Sequence, residues 1–148
     1  MGRAGYAGDE LGSALIASRL VRDVMGLCFL MERQYAPYAK WFGTAFRRLE
    51  CAEALAPALR RAQTGATWRE REEALCEAYR QLAVMHNRLG LTDPCPTDPA
   101  PFFGRPFQVI ELHGRFAERL RAPIGTVKSR VAAALAKLRA GLDGKVAS

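Results

Sequence analysis

Aromatic and basic side chains cluster around one proline, Pro37, in the first third of the chain. The members of the cluster are Arg33, Tyr35, Tyr38, Lys40 and Trp41. Cations of this kind bind phosphate, and aromatic rings can stack on a nucleobase. The alternative is structural, with Tyr35 and Trp41 packed at a helix corner while the cations stay in water. We expect packing for the rings. The candidate ligand-binding residues are Arg33, Tyr38, Lys40 and, further along the chain, Arg105.

Arg80 and His86 form a second pair that could do chemistry. They lie six residues apart near the end of a long predicted helix, and histidine titrates near neutral pH, where it can transfer protons. The spacing resembles that of small helical ribonucleases that partner minimal nucleotidyltransferases. In those proteins the arginine would bind phosphate and the histidine would act in metal-free acid–base cleavage. The alternative, which we favour, is a core histidine, because His86 falls on the apolar helical stripe that runs from Leu75 to Leu89.

The acidic residues are not arranged for nucleotidyl transfer. That reaction needs carboxylates that hold Mg²⁺, normally a Gly-Ser followed closely by an Asp-x-Asp pair. Gly12-Ser13 is present, but it falls inside a predicted helix, and the sequence contains no Asp-x-Asp. The cysteines are also widely spaced, without a CxxC motif, and this indicates reduced thiols; they are Cys28, Cys51, Cys76 and Cys95. We therefore expect no nucleotidyl transfer by the chain alone, no metal and no cofactor, and we lean against any enzymatic activity of the isolated chain.

Positive charge is concentrated near the C-terminus. The formal net charge is +7, and residues 121–148 contain six Lys and Arg against a single acid, Asp143. Such a segment could bind nucleic acid or another polyanion, or it could be a solvated helix face. No apolar run approaches the ~20 residues needed to span a bilayer, and the N-terminus lacks the apolar centre of a signal peptide. We expect a cytoplasmic protein that has no membrane partner.

The tail of residues 116–142, FAERLRAPIGTVKSRVAAALAKLRAGL, resembles the C-terminal helix-turn-helix of extracytoplasmic-function sigma factors. AERL would end the first helix, RAPIG would form the turn, and TVKSR would open the recognition helix, whose N-terminal residues meet the major groove. The nucleic-acid contacts that this resemblance implies are Thr126, Lys128, Ser129 and Arg130, and Lys137 would add charge. The alternative is an ordinary C-terminal helix, because the link at 113–116 is shorter than in those factors. We expect only weak, non-specific binding by residues 121–148.

Every long segment is predicted to be helical. The predicted helices cover 9–32, 37 or 38 to 49, 53–61, 67 to about 89, 106 towards 120, and 126–142. Thr67 and Glu70 form a capping box, and Gly90 is placed to end the same helix. Thr92–Arg105 contains four prolines and is expected to be a loop, either an ordered strap or mobile. We predict an all-α fold, a compact bundle of five or six helices in one domain of residues 1–148, with a proline-rich loop at about 92–105.

Residues 9–120 resemble an uncharacterised bacterial family, a domain of unknown function related to nucleotidyltransferase-like proteins. The similar segments are DELGS at 9–13, residues 19–32, RQYAPYAKW at 33–41, residues 44–49, His86-Asn87 and FGRPFQV at 103–109. In that family the helical domain follows a nucleotidyltransferase-like α/β domain, which is not found in this sequence. The resemblance implies a helical core at 9–120, followed here by a basic C-terminal helix at 121–148.

These observations favour a non-catalytic helical binding or regulatory domain. It would supply a wall to a separate nucleotidyltransferase-like catalytic domain or act as an interaction module. The first alternative is a nucleic-acid-binding protein that uses the helix-turn-helix-like tail, and the second is a metal-independent helical ribonuclease that uses Arg80 and His86. An exposed apolar stripe on the first long helix would in addition predict a homodimer.

Overall fold

A computed structural model describes residues 1–110 of the chain. This part is built mainly of helices that pack against each other through their apolar faces. The helices of this part are α1 (Gly2–Tyr6), α2 (Glu10–Met31), α3 (Ala39–Phe46), α4 (Ala52–Thr64) and α5 (Trp68–Arg88). Two short strands follow, β1 (Ala100–Pro101) and β2 (Gln108–Val109). The predicted all-α fold is confirmed for these residues. The predicted last helix, the sigma-factor-like tail and the extent of a single domain to residue 148 lie outside the described residues and stay predictions.

The core lies between α2, α4 and α5. Each helix contributes a stripe of buried residues at spacings of three and four, as expected for amphipathic helices. The stripes are Ala17, Val21, Val24 and Cys28 from α2; Leu55, Ala58, Leu59 and Ala62 from α4; and Ala74, Leu75, Ala78 and Leu82 from α5. The many alanines between α4 and α5 allow their backbones to approach closely, since the distance between packed helices depends on the side chains at the contact.

Side chains cap the first turns of the two long helices, and the capping box and the terminal glycine of α5 are as predicted. The Asp9 carboxylate accepts a hydrogen bond from the Gly12 N–H (2.7 Å) at the start of α2. At the start of α5 the Thr67 hydroxyl accepts from the Glu70 N–H (3.3 Å), while the Glu70 carboxylate accepts from the N–H of Ala66 (2.8 Å). Gly90, with φ of +62°, follows the C-cap of α5 in the left-handed conformation that glycine adopts without strain.

The two middle helices differ from their predicted bounds. α3 begins at Ala39, after Pro37, and ends at Phe46 rather than at residue 49. α4 extends to Thr64 and continues through Pro57. Proline removes one helical N–H, but Leu55, Ala58 and Leu59 on either side of it are buried, so tertiary packing holds this turn together.

The prediction of a helix that starts at Pro106 is wrong for residues 106–110. Residues 108–109 instead form β2, which pairs antiparallel with β1 in the register Ala100↔Val109 and Pro101↔Gln108. The rings of Phe102 and Phe107 stack with centroids 5.8 Å apart, and the Phe102 N–H donates to the Phe107 carbonyl (2.9 Å). These contacts close the turn between the strands. The remainder of that predicted helix lies outside the described residues.

The proline-rich segment is an ordered strap against α5, one of the two predicted possibilities. The Asn87 side chain donates to the Cys95 carbonyl (2.9 Å) and accepts from the Cys95 N–H (2.8 Å), so it replaces a backbone partner in both directions. Arg80 pairs with Asp98 through its Nε (3.1 Å). Over residues 1–110, no helix is long and apolar enough to cross a membrane.

One buried charge connects the N-terminal ends of α5 and α2. The Arg71 side chain is 4% exposed, and its guanidinium pairs with the Glu10 carboxylate and donates to the Gly65 carbonyl (2.8 Å). A buried cation is tolerated only when it is paired and hydrogen-bonded. Arg71 is therefore a structural residue, and its position in an otherwise apolar interface was not predicted from the sequence.

Candidate functional site

The corner between α2 and α3 is shaped by an arginine in a glycine-like conformation. Arg33 has φ of +55°, the left-handed region that non-glycine residues rarely occupy. Its N–H donates to the Leu30 carbonyl (3.1 Å), and the Gln34 N–H donates to the Phe29 carbonyl (2.8 Å). This pair of bonds is a Schellman motif, which ends a helix and usually has glycine where Arg33 stands. Arg33 thus lies at a sharp exit from α2.

Glu32 fixes the same corner to α4. Its carboxylate accepts hydrogen bonds from the N–H groups of Glu50 and Cys51, both at 2.9 Å, at the N-terminal end of α4. Partial burial alone would raise the pKa of the Glu32 carboxyl, but hydrogen bonds from the Cys51 side chain and from these two N–H groups outweigh it, so the pKa is lowered. Glu32 is therefore ionised at neutral pH and acts as a structural anchor.

α3 has one face in the core and another in water. Phe42 and Phe46, four residues apart, point inward, and the Phe42 ring packs against that of Phe29 with centroids 5.3 Å apart. The positions 41, 44, 45 and 48 follow one helical face, and their side chains line a shallow cavity of about 370 Å³ together with Tyr35 and Pro37. The inner face of α3 is therefore packed against the core, and its outer face is open to solvent.

The expectation that the corner rings pack is wrong. Tyr35 is 66%, Tyr38 65% and Trp41 50% exposed. Their neighbours Phe42 and Phe46 fill the core, so little apolar surface remains for these rings to cover. The Lys40 Nζ lies 5.2 Å from the centroid of the Trp41 ring, a cation–π contact at the surface. We call the exposed set Arg33, Tyr35, Tyr38, Lys40, Trp41 and Arg48 the corner surface.

Arg105, the fourth predicted ligand-binding residue, belongs to a different part of the molecule. It lies in the turn between β1 and β2, and its guanidinium stacks over the Phe102 ring at 5.5 Å from the centroid. The other three predicted residues, Arg33, Tyr38 and Lys40, are all exposed at the corner. Arg48 was not predicted from the sequence, although its helical spacing from Trp41 could have identified it.

Arg80 and His86 bind different parts of the strap. Arg80 pairs with Asp98, and the ring of His86 hydrogen-bonds the Thr92 hydroxyl through Nε2 (3.0 Å). His86 is half-buried near the end of α5 rather than in the core. Arg80 lines a groove of about 810 Å³ between α2, α4, α5 and the strap, and His86 is not among its lining residues. Both side chains have structural partners, and they do not line one cleft.

Gly12-Ser13 and two of the cysteines have structural positions. Gly12-Ser13 lies in the first turns of α2, and Ser13 is 0% exposed. Burial raises the pKa of the Cys28 thiol, and burial followed by the neighbouring Glu32 carboxylate raises that of Cys51, so both thiols are poor nucleophiles. Within residues 1–110, no group of three or more His, Cys, Asp or Glu side chains is arranged to hold a metal ion.

A match to a known family covers the N-terminal helices. Residues 1–42 match the model of a domain of unknown function (DUF4037). No curated protein and no solved structure matches the chain. The relation to nucleotidyltransferase-like proteins and the sigma-factor-like tail stay predictions. The matched range contains α1, α2 and most of the corner surface, so these elements are similar to that domain of unknown function.

Proposed function

We propose that this chain is a non-catalytic helical binding domain, related to the helical part of nucleotidyltransferase-like proteins. It would present the corner surface to the substrate of a separate catalytic domain. The observation that carries the proposal is the exposure of three rings beside lysine and arginine at a helix corner that is held by hydrogen bonds. Exposed aromatic groups next to charge are typical of binding sites, because water disfavours such rings unless a partner covers them.

Further support comes from what the candidate catalytic groups do. Ser13 is buried within α2, and Arg80 and His86 are each held by the strap. The sequence has no Asp-x-Asp pair to bind Mg²⁺ beside a triphosphate. These residues therefore favour binding over nucleotidyl transfer by this chain.

The test is a transfer assay with two components. The neighbouring reading frame is first examined for a Gly-Ser…Asp-x-Asp protein. Where it encodes one, that protein is mixed with this chain, and incorporation of labelled nucleotide is measured with Mg²⁺. We expect no incorporation by this chain alone, and stimulation of the partner that is weakened by Trp41→Leu and Lys40→Ala. Arg60→Ala, an exposed cation on α4, is the matched control and should keep full stimulation. Incorporation by the purified chain alone, or equal stimulation by all variants, would contradict the proposal.

A further inference from the structure

We propose that the corner surface binds single-stranded nucleic acid, with unstacked bases on its rings and phosphates on its cations. This inference rests on the binding role proposed above and names its ligand class. Neither a metal nor any group from the basic tail is needed for it. It differs from the helix-turn-helix hypothesis in using residues 33–48 instead of 116–142.

The rings provide a stacking platform. Tyr35, Tyr38 and Trp41 recur every third residue, and each has at least half of its surface in water. Every nucleobase has a π-face, so successive rings of this kind bind a strand without selecting its sequence. Tyr35 and Trp41 line the same 370 Å³ cavity, which places two of the rings at one recess where bases can stack.

The charges of this segment suit a polyanion. Residues 33–49 contain Arg33, Lys40, Arg47 and Arg48 and no aspartate or glutamate. Arg48 lines the recess together with Tyr35 and Trp41. Glu32 and Glu50 line an adjacent cavity of about 590 Å³, but the Glu32 carboxylate is engaged by two N–H groups of the α4 start. The recess itself therefore combines rings with a cation and has no carboxylate in its lining.

The dimensions favour a strand over a single nucleotide. At ~1.5 Å per residue, α3 is about 12 Å long, with Lys40 in its first turn and Arg48 just beyond its end. Cations separated by this distance can contact different phosphates of one strand. A duplex is disfavoured because its bases are stacked on each other, so their faces are closed to Tyr35 and Trp41.

The two tryptophans make this site directly observable. Trp68 is 7% exposed, whereas Trp41 is 50% exposed, so a base that stacks on the corner surface should quench mainly Trp41. The Trp68→Phe chain isolates this signal, and the unsubstituted chain is titrated in parallel in case Trp68→Phe loses stability. The probes are oligothymidylate and oligouridylate of about twelve nucleotides. This length is within the ~4–16 nucleotides of single strand that an OB-fold, a common single-strand-binding domain, contacts.

We expect both oligonucleotides to quench Trp41 at low salt. Anisotropy of a labelled oligonucleotide should show binding weakened about five-fold or more by Trp41→Leu or Tyr35→Leu, since base–aromatic stacking has this magnitude. Because each phosphate contact on a single strand contributes about 0.7, contacts by the three cations of the corner surface predict a slope of log K against log salt of about −2. Arg60→Ala on α4 should leave affinity unchanged.

Several results would overturn the inference. If the Lys128→Ala, Arg130→Ala and Lys137→Ala chain loses binding while Trp41→Leu keeps it, the tail is the nucleic-acid site. Equal quenching by thymidine monophosphate at the same nucleotide concentration would assign a mononucleotide, and the proposed binding role would survive. A Trp41 blue shift on anionic phosphatidylserine vesicles, with no quenching by oligonucleotides, would assign a lipid surface. No signal from any probe would refute the binding of single-stranded nucleic acid. The two-component transfer assay would still decide the proposed function.

Discussion

Arg33→Gly should stabilise the protein while removing a cation from the corner surface. The backbone of Arg33 is left-handed (φ +55°), which costs a residue with a Cβ ~1–2 kcal/mol. Glycine removes that cost but makes the unfolded chain more flexible, which returns ~0.5–1 kcal/mol. Both Schellman hydrogen bonds are made by backbone groups and survive the substitution. The net gain in the free energy of unfolding is therefore about 0.5–1 kcal/mol.

Thermal and urea unfolding measure this gain. For a chain of 148 residues the increase in Tm is about 2–3 °C. Arg33→Ala is the matched control, because it removes the same cation but keeps the Cβ and its strain, so it should not raise Tm. Gly90→Ala provides the reverse test: Gly90 has φ of +62° and nothing within 4 Å of an added Cβ, so backbone strain alone should lower stability by about 1 kcal/mol.

Equal Tm values for Arg33→Gly and Arg33→Ala would contradict this prediction. That result would mean that the left-handed conformation of Arg33 costs nothing in this protein. A gain in stability together with weaker binding at the corner surface would instead show that the arginine is retained there at the expense of stability. Such strain at a binding residue is a known feature of functional sites.

Three further substitutions test the structural anchors and the ribonuclease alternative. Glu32→Gln should lower the free energy of unfolding by about 1–2 kcal/mol at neutral pH. Because the pKa of Glu32 is lowered in the folded protein, its contribution to the free energy of unfolding is present above the unfolded pKa of about 4.3 and is lost as the pH falls through the folded pKa. Urea unfolding at several pH values should therefore show that the stability difference between Glu32→Gln and wild type vanishes in acid. Arg71→Ala should cost about 2–3 kcal/mol because it removes the ion pair with Glu10 and the hydrogen bond to the Gly65 carbonyl and leaves a cavity in a packed interface. A cost near zero in the same urea assay would contradict this structural role. His86→Ala removes the hydrogen bond to Thr92 and should lower Tm, and we expect no RNA cleavage by either protein. RNA cleavage by the wild-type protein that is lost in this variant without a loss of stability would establish the ribonuclease alternative.

The two long helices could be predicted from local chemistry. α2 and α5 have apolar residues at helical spacing, and side chains of Asp9 and Thr67 cap their first turns. These signals are short-range, so they act in the same way whatever the rest of the chain does. The corner after residue 32 was also predicted, since Pro37 lacks an N–H for the helix interior and suits the start of a second helix.

Other elements depend on contacts between distant residues. α1 has two glycines and no helical signal, yet it forms because Gly5 and Tyr6 pack against Trp68, and a Cβ at Gly5 would overlap the Trp68 side chain. β2 replaces the start of a predicted helix because Gln108 donates to the Glu72 carboxylate (2.9 Å) and Phe107 stacks on Phe102. In both cases the local preference is weak, so tertiary packing determines the conformation.

For the corner surface, the sequence determined which residues are present and the tertiary structure determined which of them are exposed. The sequence by itself placed rings and cations within one short segment, and their chemistry pointed to phosphate or base binding. Whether Tyr35 and Trp41 would be buried could not be predicted, because α3 has more apolar residues than one helical face can bury. The tertiary structure decided it: Phe42 and Phe46 occupy the contact with α2 and the core, and this leaves Trp41 on the outer face of α3. Exposure is set by competition for limited core volume, which local sequence does not contain.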